Sequence, residues 1–168
     1  MHSFFAGFFS ARSSSQYASE YGPETAIDNK ISQTQYHFFH SQTESNPWLE
    51  LSMPEGLIGG VEIVTRSGCC ADRVRDIEVR AGMDPVPTGF KGKLTINTKV
   101  ATFVGPADAN LKTYYINFDR SVLAKYVTLQ RIGGSVTLEI NEVTMIQGME
   151  LVIIFDVFDI IMGKSCSN

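Results

Sequence analysis

Residues 61–82, VEIVTRSGCCADRVRDIEVRAG, decide the fold of this chain, because they hold two strand patterns joined by a tight loop. In the first pattern, every second residue from Val61 to Thr65 faces the same side of a strand. In the second, Ile77 and Val79 alternate with charged residues, which predicts one buried and one solvated face. Residues 66–73 separate the two patterns.

Further short strand patterns occur along the chain. They occupy WLELSM (48–53), KLTINTKV (93–100), TYYINF (113–118), KYVTLQRI (125–132) and VTLEINEVTMI (136–146). Turn signals separate them, at residues 53–56, 85–87, 105–106 and 133–134. One short helical turn is predicted at residues 23–27, where a proline begins the turn. The spacing predicts an all-β fold, an antiparallel β-sandwich.

The composition indicates one ordered domain. The chain has 168 residues, of which 43% are hydrophobic and 19% charged, enough to bury a core. A net charge of −4 argues against a nucleic-acid partner, since that function needs clustered positive charge. We expect a domain over residues 5–146. The apolar tail at 147–168 fits an extra strand, an amphipathic helix or the start of a longer element, and the pattern does not choose among them.

Membrane insertion is not expected from the sequence. The longest apolar run, residues 151–162, is shorter than the ~20 residues that cross a bilayer, and Asp156 and Asp159 interrupt it. The first residues lack a charged segment followed by a long apolar run, so no signal peptide is recognisable and the chain is interpreted as mature or truncated.

The loop between the two strand patterns carries the most unusual chemistry. Arg66 and Arg73 flank two adjacent cysteines, and His40 stands upstream of an Asn-Pro-Trp sequence. Guanidinium and imidazole groups are rich in N–H donors, so they suit a ligand rich in oxygen acceptors, such as hydroxyls, a ring oxygen or an anion. Taken singly, each of these residues is typical of a solvated surface position.

The adjacent pair Cys69–Cys70 allows two interpretations. Neighbours on a strand point to opposite faces, which makes them poor partners in a tetrahedral zinc site. They are then either two free buried thiols or a disulfide between neighbours, which needs an oxidising compartment. A Cys–His nucleophile with His40 is formally available. Because the chain otherwise lacks the motifs of common enzymes, we expect no catalysis.

These blocks together resemble the F-type lectins, or fucolectins, within the coagulation factor V/VIII C-domain and discoidin-like group. The resemblance covers residues 5–146 and is carried by FFHSQTESNPWLEL (38–51), VEIVTRSGCCADRVRDIEVRAG (61–82), KYVTLQ and LEINEV. It implies a jelly-roll sandwich with a fucose site in loops at one end. His40, Arg66 and Arg73 would bind the sugar, beside a vicinal disulfide of Cys69 and Cys70.

The same resemblance implies partners, location and an ion. The partners would be fucosylated glycans or glycoproteins, bound by a secreted or extracellular domain that gains strength from multivalency, for instance as a homo-oligomer. A structural Ca²⁺ would be held by the carboxylates of Asp28 and Glu142. The positions that would give it backbone carbonyls are Thr25, Lys30, His37 and Asn141.

Departures from the family pattern leave two other functions open. Gly68 stands where the pattern has an Asp, so the pocket is expected to be more positive and looser. Asn141 replaces a cysteine of the long-range disulfide, and Leu49 a tryptophan. One alternative is therefore a structural or adhesion domain that has lost sugar binding. The other is a binder of anionic glycans, sulfated or sialylated, whose affinity would fall steeply with salt.

Overall fold

A computed structural model describes residues 10–31, 33 and 37–149. Its strands are β1 (Ser10–Ser13), β2 (Phe39–His40), β3 (Trp48–Val64), β4 (Ile77–Gly82), β5 (Thr98–Phe103), β6 (Thr113–Arg131), β7 (Glu139–Ile140) and β8 (Glu142–Gln147). Short 3-10 helices span Ser19–Tyr21, Pro23–Ala26 and Ala71–Arg73. The helical turn predicted at 23–27 is confirmed, with Pro23 at its first position. Most of the expected tail at 147–168 lies outside the described residues.

Two long strands, β3 and β6, form the central ribbon of the fold. They pair antiparallel along their whole lengths, from Trp48 opposite Gln130 to Val64 opposite Thr113. The separate strand patterns predicted at 48–53 and from Val61 are therefore halves of one strand, and those at 113–118 and 125–132 are halves of β6. The turn signal at 53–56 forms a register shift instead of a loop, because a bulge tolerates a proline that cannot donate to the ladder.

The two halves of the ribbon have different neighbours. The first half of β3 pairs with β1, and the adjoining half of β6 pairs with β4, which is followed by β5 at the edge. The second half of β3 pairs with β8. The segment 131–139 contacts both ends of β3, through Pro47 and through Arg66, so the ribbon folds back at its central bulge. The predicted antiparallel β-sandwich is confirmed.

One apolar core fills the space inside the folded ribbon. Val61, Ile63, Ile77 and Val79, the residues that alternation places inward, are all fully buried. Leu49, Leu51, Val127 and Leu129 from the first half join the same cluster. Burying each such side chain contributes about 1.5–3 kcal/mol relative to its exposed state, so the alternation accounts for the sandwich energetically.

A small second sheet closes the end of the sandwich that carries the loops of residues 40–47 and 65–73. Strands β2 and β7 pair antiparallel, with Phe39 opposite Ile140 and His40 opposite Glu139. Ser41 extends the pairing, because its Oγ accepts from the amide of Leu138 at 2.8 Å. This end, the rim, brings chain segments about a hundred residues apart into contact. No helix among the described residues is long and apolar enough to span a membrane.

Candidate functional site

Three basic side chains converge on one carboxylate at the rim. Glu139 Oε1 lies 3.0 Å from His40 Nε2 and 2.7 Å from Arg73 Nη1, and its Oε2 lies 2.8 Å from Arg66 Nη1. The structure thus brings together the three residues that the sequence selected, around a fourth that it did not. The cluster combines N–H donors with a buried anion that holds them in place.

Each member of the cluster is placed by its own structural element. The β2–β7 register sets His40 directly across from Glu139, so both side chains emerge on the same face. Arg66 follows the end of β3, and Arg73 ends the 3-10 helix Ala71–Arg73. Thr137 Oγ1 adds a hydrogen bond to Glu139 Oε1 at 3.2 Å. Four separate elements therefore fix the geometry.

The carboxylate of Glu139 is ionised throughout the physiological range. It is completely buried, and burial alone would raise its pKa. The hydrogen bonds from His40, Arg66 and Arg73 outweigh that cost and lower the pKa of Glu139 to about 2. Two guanidinium charges thus share one negative charge. The sequence expectation of a more positive and looser pocket at Gly68 did not include Glu139, which supplies both arginines with a carboxylate.

Asp72 and Asp76, which lie close to Arg66 and Arg73 in sequence, do not form ion pairs with these two arginines. Asp76 forms an ion pair with its neighbour Arg75 at 3.1 Å. Asp72 is exposed in the 3-10 helix. Gly68 has a φ of 80°, a left-handed conformation that favours glycine, and lies exposed at the rim.

The ring of His40 is engaged on both sides within the protein. Its Nδ1 lies 2.5 Å from the carbonyl oxygen of Ser41, and its Nε2 faces Glu139. Both partners are acceptors, so both contacts are hydrogen bonds only when each nitrogen carries a proton. A ligand that accepts from His40 must therefore share one of these protons, whereas the arginines have donors to spare.

Arg73 is the most accessible donor of the cluster. Its side chain is 45% exposed, compared with 13% for Arg66. Among the described residues only its Nη1 has a hydrogen-bond acceptor, so several of its five N–H groups face the rim. Arg66 lies deeper, with its guanidinium carbon 4.3 Å from the centre of the Phe38 ring. That cation–π contact holds Arg66 in place.

Cys69 and Cys70 form a disulfide between neighbours, with their Cα atoms 3.8 Å apart. Of the two interpretations left open by the sequence, the structure shows the disulfide. Cys70 has a φ of 66°, and the following Ala71 amide donates to Asn110 Oδ1 at 3.1 Å. Cys69 is exposed, so the disulfide contributes surface to the loop that joins Arg66 to Arg73.

Tyr17 is a site residue that sequence reasoning missed. Its ring is 64% exposed, and its centre lies 4.9 Å from that of His40. Tyr21 packs edge-on against the Tyr17 ring, and Phe38 packs edge-on against Tyr21 in turn, so Tyr17 rests on an aromatic support. A single tyrosine in a polar loop gives no signal in sequence, since its place depends on the contact of residues 17–21 with β2. It offers an exposed aromatic face beside the donor cluster.

The predicted metal ligands Asp28 and Glu142 do come together. Glu142 is buried, and its Oε2 has no hydrogen-bond partner among the residues that the structure describes. Burial and the nearby charge of Asp28 raise the pKa of Glu142 to about 7, against partial compensation from backbone N–H groups. An orphaned carboxylate oxygen beside a second carboxylate fits a hard cation such as Ca²⁺.

The remaining residues of the predicted ion site have other contacts. The Lys30 amide donates to Asp28 Oδ1 at 3.0 Å, and His37 Nε2 lies 2.5 Å from Asp28 Oδ2. Thr25 Oγ1 donates to the Gly22 carbonyl. Asn141 is buried, and its backbone N–H donates to the Val64 carbonyl. Within the described ranges no three His, Cys, Asp or Glu residues group as a metal site. An ion here would therefore need backbone carbonyls.

A separate groove of about 420 Å³ lies on the flank of the sandwich, away from these residues. Residues 99–103 of β5 and residues 115–117 and 119 of β6 line it. It contains none of the residues selected from the sequence. We therefore select the rim cluster as the candidate site because of its hydrogen-bond donors. It is an open surface and not a deep cavity.

The chain is similar to several known proteins. The sequence model of the F5/8 type C domain matches residues 10–143. No curated protein matches the sequence. A fucolectin from the serum of striped bass, Morone saxatilis, has a TM-score of 0.69 at 22% identity over 83% of this chain. This chain spans 46% of that fucolectin chain.

Two further solved structures have similar folds. A fucose-binding module of Streptococcus pneumoniae has a TM-score of 0.64 at 17% identity, covering 82% of this chain and 90% of that one. The lectin domain of lectinolysin, solved with Lewis B antigen, has a TM-score of 0.65 at 19% identity, covering 83% and 93%. At these identities the likeness shows the shared fold.

Proposed function

Because the chain belongs to the F5/8 type C domain family and carries this cluster, we propose that it is a non-catalytic lectin domain that binds terminal L-fucose on glycans. The observation that carries the proposal is the convergence of His40, Arg66 and Arg73 on buried Glu139, beside an exposed vicinal disulfide. The solved structures of similar fold that bind fucose or Lewis antigens support it.

The chemistry of the cluster suits this sugar. Fucose is uncharged and presents hydroxyl and ring oxygens that accept hydrogen bonds, together with an apolar methyl group. The half-exposed guanidinium of Arg73 can donate to the oxygens, and each charged hydrogen bond contributes about 1.5–3 kcal/mol. The exposed ring of Tyr17 and the sulfurs of Cys69–Cys70 provide apolar surfaces for the carbon edges.

The ion site is part of the same proposal. Asp28 and Glu142 would hold a structural Ca²⁺ through carboxylate oxygens, with carbonyls of Thr25, Lys30, His37 and Asn141 completing it. The ion would neutralise two carboxylates that now repel each other, and so stabilise the loop that begins at the 3-10 helix Pro23–Ala26. The raised pKa of Glu142 and its orphaned oxygen support this assignment.

Partners and location follow from the proposed activity. A vicinal disulfide is maintained in an oxidising compartment, which supports a secreted or extracellular protein acting on fucosylated glycans or glycoproteins. An open site on the rim gives modest affinity per domain. Binding to a glycan-covered surface would then depend on several copies acting together, which a homo-oligomer provides.

Substitution of Arg73 tests the proposal. Arg73→Ala removes the most accessible donor, and we expect it to lower affinity for L-fucose about 10–100-fold, from the loss of one or two charged hydrogen bonds. Titration calorimetry with L-fucose and a fucosylated glycan array measure the change. Arg75→Ala is the matched control, because Arg75 carries the same charge and the same 45% exposure but pairs with Asp76.

The outcomes separate the lectin from its alternatives. Weaker binding with Arg73→Ala and unchanged binding with Arg75→Ala support the fucose site. If the unmodified protein binds no glycan on a broad fucosylated panel, the function is that of a structural or adhesion domain. Binding confined to sulfated or sialylated glycans identifies the anionic alternative.

A further inference from the structure

Glu139 has a position that sets the electrostatics of the whole rim. Its two oxygens bind different arginines, Oε2 with Arg66 and Oε1 with Arg73, while His40 shares Oε1. Within the described part of the chain, Arg66 and Arg73 pair with no other carboxylate. Two guanidinium groups therefore lie side by side only because this anion stands between them.

Arg131 adds a further positive charge beside the cluster, where the carboxylate of Asp76 also acts on it. Arg131 lies close enough to interact electrostatically with Arg73, Arg75 and Glu139, and its Nη1 donates to the carbonyl of Thr137 at 2.6 Å. Arg75 is offset by Asp76. Without Glu139 the rim would present Arg66, Arg73 and Arg131 together, a surface suited to sulfate or carboxylate groups. Glu139 cancels a large part of that attraction.

From this geometry we propose that Glu139 is the specificity-determining residue of the rim site, which makes it select a neutral sugar ring over an anionic glycan. This inference rests on the proposed function and names the ligand class that the same site accepts. The carboxylate acts in two ways. It positions the guanidinium forks so that their remaining N–H groups point at uncharged oxygens, and it repels a second anion.

Burial makes the second effect strong. Glu139 is fully buried, so its charge is screened far less than that of a surface residue. An incoming sulfate would gain attraction from Arg66 and Arg73 but would lie within a few ångströms of a fixed negative charge. A hydroxyl carries no such penalty. The site therefore presents oriented N–H donors from Arg66 and Arg73 while its net charge stays small.

The experiment compares L-fucose with a sulfated L-fucose in the unmodified protein and in Glu139→Gln. The substitution keeps the shape of the side chain and removes its charge. We expect the unmodified protein to prefer neutral fucose, with an affinity that changes less than about twofold between low and high salt. In Glu139→Gln we expect the ratio of sulfated to neutral affinity to rise about tenfold or more, and binding of the sulfated sugar to weaken steeply with salt.

Two further variants make the result decisive. Glu139→Asp keeps the charge but shortens the reach, so it should bind more weakly while keeping the preference for neutral fucose. Glu78→Gln is the matched control, because Glu78 is also largely buried and pairs with three cations, Arg80, Lys93 and Lys99, outside the cluster. It should leave both affinities unchanged.

Three outcomes overturn the inference. The first is an equal loss of both sugars in Glu139→Gln, which would make Glu139 a structural support only. The second is a loss of neutral preference in Glu139→Asp, which is also the deciding result if Glu139→Gln does not fold. The third is a preference of the unmodified protein for the sulfated sugar. Absence of binding to either sugar by the unmodified protein would instead refute the proposed function itself.

Discussion

Glu139 and Glu142 lie three positions apart on successive strands, β7 and β8, and both are buried. Glu139 is surrounded by three basic groups, and its pKa falls to about 2. Glu142 faces Asp28 and has an orphaned oxygen, and its pKa rises to about 7. The same side chain in neighbouring positions thus experiences opposite electrostatic environments.

The difference arises because the strands that carry the two glutamates have different partner strands. Asn141 connects the two strands, and the chain changes partner there, from β2 at Glu139 to β3 at Glu142. The site at Glu139 is neutralised by the protein's own arginines. Glu142 has no ion pair with a basic side chain among the described residues, which is why its site is the one proposed to take an external cation. The predictions below test this contrast.

Removing Glu139 should have the largest effect. Glu139→Ala leaves two partly buried guanidinium groups without their counter-charge, and we expect a loss of about 3–5 kcal/mol in the free energy of unfolding. Urea denaturation at pH 7 measures it. In the absence of a metal, Glu142→Gln should cost little or even stabilise the protein, because it removes a repulsion. Equal destabilisation by the two changes would contradict the contrast.

Acid should remove the Glu139 contribution. Its folded pKa of about 2 lies below the ordinary value of 4.5, so the stabilisation is fully present above pH 4.5 and is lost as the pH falls toward 2. The shift corresponds to about 3 kcal/mol. Denaturation from pH 6 to pH 2 should show the stability advantage of the unmodified protein over Glu139→Gln shrinking by that amount. A constant difference would show that the charge of Glu139 does not stabilise the fold.

Calcium should stabilise the protein through the other glutamate. At free Ca²⁺ about 100-fold above its dissociation constant, binding to the folded state alone adds about 2.7 kcal/mol. Thermal unfolding with Ca²⁺ and with a chelator measures the effect. Asp28→Asn and Glu142→Gln should abolish it, whereas Glu55→Gln at the central bulge of the ribbon should not. An unchanged melting temperature in the unmodified protein would refute the ion site.

A neutral hydrogen bond to Glu139 should matter least. Thr137→Val removes the bond from Thr137 Oγ1, and we expect a loss of about 1 kcal/mol. Thr137→Ser, which keeps the hydroxyl, should restore most of it. Chemical denaturation compares the three proteins. A loss as large as that of Glu139→Ala would mean that the cations are not what holds the carboxylate.

The sequence predicted what depends on local patterns. Alternation at Val61–Thr65 and at Ile77–Val79 identified buried strand faces, and the sandwich followed from their number and spacing. The selection of His40, Arg66 and Arg73 relied on unusual residue types and on a family resemblance. Strand alternation and local motifs can both be recognised from sequence because each depends on residues that are close together in the chain.

Long-range register explains what was missed. Glu139 reads in sequence as an ordinary strand charge, and only the pairing of β2 with β7 sets it across from His40, far away in the chain. The continuity of β3 through residues 53–56 was missed for a related reason. A proline and a glycine mark a change of direction, but whether the ladder continues through it depends on the partner strand.

The fold of the β3–β6 ribbon determines how this domain can be tethered. Ser10 of β1 pairs with Ser52, and Gln147 of β8 pairs with Ile58, so the first and last strands both run to the corner of the ribbon. That corner is the pole opposite the rim. A segment joined to β1 or β8 at this pole would be attached on the side away from the proposed sugar site.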